Sequence, residues 1–156
     1  MKKIFLAVLA VSITFLVSTA DSFGQGAAKT GPTSAVLRDP DLEKDSLHNL
    51  EVARHYFKLK KAYVAAIKRC EEIDAGNPNF AKMDEVLFIA GESSLRLAEN
   101  RGKQKAKEKT ADELRQDARV YLSRLVADYP NSAFKQQAET DLQALGGPIK
   151  PETPKP

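Results

Sequence analysis

One helical phrase occurs twice in this chain with the same spacing. Ala66-x3-Cys70-x2-Ile73-x4-Pro78-Asn79 is matched by Ala118-x3-Leu122-x2-Leu125-x4-Pro130-Asn131. A small residue with apolar residues four and seven positions on lays all three along one face of an α-helix, and the proline closes that helix. A unit of this kind carries an apolar face that only a neighbouring unit covers. Such units stack, and stacked helix pairs commonly offer a surface to other proteins. The repetition constrains the chain to an all-α architecture, a short helical-repeat solenoid.

Five helices account for it. The first opens at Asp39-Pro40-Asp41, a cap followed by a proline suited to the first turn, and runs to about Leu59 with Leu47, Leu50, Ala53 and Phe57 on one face. The second spans about Lys61 to Asp74 and ends at Gly76-Asn77-Pro78, after which Asn79 is placed to cap the third, about Ala81 to Glu99. Asn100-Arg101-Gly102 stops that helix. The fourth opens at Thr110 with Glu113 three residues on, a capping box, and runs to Asp128. Pro130-Asn131-Ser132 restarts a fifth through Phe134, Ala138, Leu142 and Leu145, closed by Gly146-Gly147. No segment alternates as a half-buried strand does.

The ends read differently. Lys2 and Lys3 precede an apolar run from Ile4 to Val17 and then Ser18-Thr19-Ala20, the pattern of a secretory signal over residues 1–20. The run is short beside the roughly 20 apolar residues a membrane span needs. Residues 21–38 form a Gly/Ser/Thr/Ala-rich leader, 39–145 the helical domain, and 146–156 a tail holding four of the eight prolines. The expected compartment is the periplasm or the extracellular space, without a lipid anchor, because no cysteine follows the apolar run. The signal segment carries two lysines and no acid, so its removal takes the net charge from +3 to +1. That balance argues against a general nucleic-acid binder, which gains affinity by neutralising phosphates. The lone Cys70 has no intramolecular disulfide partner.

The first halves of the repeats keep a looser register, Leu50-x2-Ala53-Arg54-x2-Phe57 and Leu87-x2-Ala90-Gly91-x2-Ser94. This pattern resembles the tetratricopeptide repeat, whose period is about 34 residues. Pro78 and Pro130 lie 52 apart, so 18 residues are extra, most of them between Ser94 and Ala118. The chain thus reads as a tetratricopeptide-like solenoid of about five helices, or two and a half repeats. Ala53-Arg54-x-Tyr56-Phe57-x3-Lys61-x-Tyr63-x2-Ala66-Ile67 before Pro78 is similar to the opening repeat of the BamD-type outer-membrane assembly lipoproteins. Leu125-x3-Tyr129-Pro130-Asn131-Ser132 with Ala138 and Leu142 resembles their repeat junctions. The resemblance covers about residues 45–145 and implies a periplasmic repeat protein linked to outer-membrane protein assembly. Two features depart from that family: the missing lipid-bearing cysteine, and two and a half repeats where about five are usual.

In a stacked array the first helix of each pair lines a concave groove. That register predicts a groove of His48, Glu51, His55 and Lys58 from the first repeat, with Glu85, Phe88, Glu92 and Arg96 from the second. Mixed charge around an aromatic suits a peptide or helix of a partner protein. His48, Glu51 and His55 share a helix face, but the histidines are seven residues apart, roughly 10 Å of rise, too far for one metal ion. Cys70 falls where the repeat needs a packing residue and reads as core. Arg101, Lys103, Lys105, Lys107 and Lys109 form a basic insertion with one acid, Glu108. It suits an anionic membrane surface or another polyanion. Adjacent pairs such as Glu71-Glu72 point to different helix faces and do not make an acid–base couple. There is no Gly-rich phosphate loop, no nucleophile elbow and no CxxC.

The expected function is a non-enzymatic interaction or scaffold module of the bacterial cell envelope, with a protein partner and without cofactor, metal or nucleic acid. One alternative is a membrane-surface or polyanion-binding protein acting through the 101–109 insertion. The other is a small envelope enzyme, which would need polar groups converging from several helices.

Overall fold

Asp39 opens the first helix through its own carboxylate, which accepts from the backbone N–H of Asp41 at 2.9 Å and of Leu42 at 3.4 Å, with Pro40 at the first helical position. From there the chain is helical in every regular element of residues 38–149, the residues that the computed structural model describes. The signal segment, the leader up to residue 37 and the tail from residue 150 lie outside them. The elements are α1 (Pro40–Arg54), a π-helical turn (His55–Lys60), α2 (Tyr63–Gly76), α3 (Met83–Ala98), α4 (Ala111–Asp128) and α5 (Lys135–Ala144). The described residues are all-α, as the periodicity predicts.

The helices pack in chain order, α1 on α2, α2 on α3, α3 on α4 and α4 on α5, and α1 also reaches α3. Ala66, Cys70 and Ile73 of the first phrase and Ala118, Leu122 and Leu125 of the second are all buried, none more than 2% exposed. Eleven of the sixteen residues of α3 are buried, which makes it the middle helix of the stack. Gly91 permits a close approach of α3 to α4: a Cβ there would lie 2.7 Å from the Leu122 side chain of α4. Burial pushes the Cys70 thiol up to about 12, helped by nearby Glu71, Glu85 and Asp74, so it stays a neutral packing group.

Three local expectations change. The first helix does not run to Leu59 as a regular α-helix; its last six residues widen into the π turn. The link to α2 is only Lys61 and Ala62, with Lys61 left-handed at φ 51° and the Ala62 N–H donating to the Tyr56 carbonyl at 3.0 Å. The wider turn brings that carbonyl to the returning chain. Asn79 does not cap the third helix. Buried Phe80 anchors an extra turn, and α3 starts at Met83 behind Lys82, with no side-chain cap. Residues 99–109, which the sequence left between helix and loop, are irregular. Thr110 then forms the expected capping box, accepting from Glu113 N–H at 3.3 Å while the Glu113 carboxylate accepts from Thr110 N–H at 2.7 Å.

One ion pair and one side-chain amide tie the layers. Arg124 of α4 holds Asp74 of α2 through two bonds of 2.7 and 3.0 Å. Asn77, at the end of α2, donates to Glu43 and Ser46 of α1, both at 3.1 Å.

Candidate binding cleft between the third, fourth and fifth helices

The charged residues of α3 expected in the groove are engaged within the chain. Arg54 of α1 grips Glu85 with both ends of its guanidinium, Nε to Oε1 at 2.6 Å and Nη2 to Oε2. That bidentate bond holds the Glu85 carboxyl below the usual carboxylate range. Phe88 is not an exposed anchor. It stacks on Phe134 at the start of α5, ring centroids 4.7 Å apart and planes 18° off parallel. One helix turn further on, Glu92 is buried and Arg96 reaches back to it at 2.6 Å. The Arg96 guanidinium lies over the Phe57 ring, 4.5 Å from its centroid.

Below these residues α3, α4 and α5 enclose a cleft of about 600 Å³. Its wall is polar, with four arginines (Arg96, Arg101, Arg115, Arg119) and four acids (Glu92, Glu99, Asp112, Asp141). Most are matched within the chain: Arg101 to Glu99 at 3.1 Å, Arg115 to Asp112 at 2.7 Å, and Arg119 Nε to the Gly147 carbonyl at 3.1 Å. Two buried atoms are not. Arg96 Nε and Asp141 Oδ2 have no hydrogen-bond partner, although Gln137 donates to the other Asp141 oxygen at 3.0 Å. A buried polar atom without a partner costs about 1–3 kcal/mol.

Glu92 sits beside this gap. Burial, and then hydrogen bonding with the Asp141 carboxyl, raise it to about 7 against the opposing pull of Arg96. No serine, threonine, cysteine, histidine or lysine lines this cleft.

Of the residues expected in the groove, the structure brings Glu92 and Arg96 into the cleft. Glu85 and Phe88 lie on the same helix but are taken up by Arg54 and Phe134. His48, Glu51, His55 and Lys58 are exposed on α1 and the π turn and do not line the cleft. Among the described residues no group of three His, Cys, Asp or Glu side chains is placed to hold a metal ion. The sequence reading missed Asp141, Gln137, Arg115 and Arg119. Gln137 and Asp141 stand four apart on one face of α5, a spacing visible in the sequence, but only the packing sets that face against α3.

The basic insertion is divided by the fold. Arg101 turns to the polar cleft, whereas Lys103, Lys105, Lys107 and Lys109 border a separate cavity over α2 and α4. Gly102 makes the division: at φ +107° it lies against the Lys61 carbonyl and the Tyr63 ring, where a Cβ would stand 2.6 Å from each. Lys103 N–H then donates to that Lys61 carbonyl at 3.0 Å.

No family model matches this chain, and neither the curated proteins nor the solved structures gave a match. No described helix is long and apolar enough to cross a membrane.

Proposed function

We propose that this chain is a non-enzymatic interaction module of the bacterial cell envelope, built on tetratricopeptide-like helix pairs, that receives a segment of a partner protein in the α3–α5 cleft. The observation that carries this reading is the pair of buried, unpartnered atoms in the cleft, Arg96 Nε and Asp141 Oδ2. One is a donor and the other an acceptor, and a peptide group offers the complement of each. The surrounding arginines and acids are largely neutralised in pairs, so recognition rests on hydrogen bonds and shape rather than net charge. Export rests on the signal pattern of residues 1–20 and a role near outer-membrane protein assembly on the resemblance in residues 45–145, and both belong to the same proposal.

A photo-crosslinking amino acid at Gln137 tests it, with the same probe at exposed Lys44 on α1 as the control. A discrete envelope adduct from position 137, absent from position 44 and lost with Asp141→Lys, is the expected result. Equal adducts from both positions, or adducts indifferent to Asp141→Lys, would sink the cleft as the binding surface.

A further inference from the structure

The second cavity, about 640 Å³, lies on the α2–α4 side, away from the polar cleft. Its floor is apolar. Val64 and Ile67 of α2 are half-buried, Leu97 and Leu114 come up from the core, and Ala106 covers them from the loop. The loop is tied at both ends: Ala65 N–H donates to Gln104 Oε1 at 3.3 Å, and Lys109 Nζ pairs with Asp117 at 2.6 Å. Between those ties no backbone hydrogen bond holds residues 105–108.

The rim is basic. Lys68, Lys103, Lys105 and Lys107 form no ion pair among the described residues. Of the three acids there, Asp117 is neutralised by Lys109, which leaves Glu71 and Glu108 against four unpaired lysines. The volume lies within the roughly 300–1,000 Å³ of small-molecule sites, which are mostly apolar with a few placed polar groups.

We propose that this cavity binds a single-chain anionic amphiphile, with its acyl chain on Val64, Ile67, Leu97 and Leu114 and its anionic headgroup among the loop lysines. Each part of the lining selects one part of that ligand. An acidic peptide would bring backbone polar groups onto a floor of hydrocarbon that offers them no partners. A neutral lipid would leave four unpaired lysines unused. A diacyl lipid exceeds the volume, whereas one chain fills it and leaves the headgroup at the wet mouth. The lysines are exposed, and a lysine stem can cover apolar surface while its ammonium group stays in water, so the charges would meet the headgroup without being buried.

The test is displacement of the fluorescent fatty acid cis-parinarate from the purified chain by dodecanoate, with 1-dodecanol as the neutral counterpart of equal length. One saturable site is expected. Ala106→Glu, which sets a carboxylate in the cavity from an irregular loop, should weaken dodecanoate about tenfold or more while circular dichroism holds. Ile67→Gln, which keeps a helix former on α2, is the second variant and should show the same loss. Lys103→Gln/Lys105→Gln/Lys107→Gln should weaken dodecanoate and leave dodecanol unchanged. Binding that ignores both Ala106→Glu and Ile67→Gln, or equal affinity for the acid and the alcohol in the parent chain, would overturn the proposal. So would association seen only with phosphatidylglycerol vesicles that disappears at high salt, because that is surface attraction rather than a pocket.

Discussion

Gly91 packs its bare Cα against Leu122, which is fully buried and has nowhere to swing. Alanine at this point of α3 would recover about 1 kcal/mol of helix propensity. It would also force a Cβ to 2.7 Å from Leu122, an overpacking that costs about 1–3 kcal/mol. Gly91→Ala is therefore expected to destabilise the fold by about 1 kcal/mol, read as a lower urea midpoint. Glu92 gives a prediction of the opposite sign. Its carboxyl is raised to about 7 in the folded chain from an ordinary 4.5, so the folded state binds its proton more tightly. The stability that Glu92 contributes is full below about pH 4.5 and is lost as pH rises through about 7. Glu92→Gln keeps the acceptor for Arg96 and removes the titration. Its urea midpoint should match or exceed the parent's at pH 8, with a flatter profile between pH 4.5 and 7. A lower midpoint at pH 8 would show that Arg96 needs the full charge.

Among the elements, the junction of α1 and α2 is a place where backbone conformation runs against residue type. No glycine, proline or asparagine marks it, yet Lys61 adopts a left-handed conformation so that two residues close the turn. A non-glycine residue there costs about 1–2 kcal/mol, part of which glycine would return as added freedom in the unfolded chain. Lys61→Gly should raise stability by about 0.5–1 kcal/mol in chemical denaturation, since the contacts of Lys61 here run through its backbone carbonyl. The start of α4 behaves in the ordinary way. Thr110→Ala removes both halves of the capping box and should cost about 1 kcal/mol, measured in the same assay.

For the whole molecule, the weak point is α5, the shortest α-helix, which covers one face of the stack. Its hold on α3 rests on Phe134 against Phe88, on Ser132 Oγ donating to Asp84 at 2.7 Å, and on the buried Ala138 and Leu142. Phe134→Ala should cost about 2 kcal/mol, less than a fully buried aromatic because the ring is half-exposed. Hydrogen exchange should show the loss concentrated in α5 and the cleft, with α2 still protected. Equal loss of protection in α2 would mean that the five helices unfold as one unit. The two cavities make separate demands on this architecture. The polar cleft needs α5 in place, whereas the lysine-rimmed cavity needs α2, α4 and the loop, so Phe134→Ala should spare amphiphile binding.

What was legible in the sequence is what depends on period and on local chemistry. The repeated phrase named six core residues, the spacing located the helices, and Thr110 with Glu113 announced a cap, because helical burial and capping act over three or four residues. The π turn, left-handed Lys61 and the uncapped start of α3 were not legible. Each is set by a contact distant in sequence or by a buried anchor, as when Phe80 draws the chain into one more turn. The candidate groove was half legible: Glu92 and Arg96 could be placed on a face, but the eight-residue list took no account of α5. Only tertiary packing brought Asp141 to Glu92, covered Phe88 with Phe134 and sent the basic insertion to two different cavities. A one-dimensional pattern fixes which face of a helix is buried; what lies across from that face is decided when the helices meet.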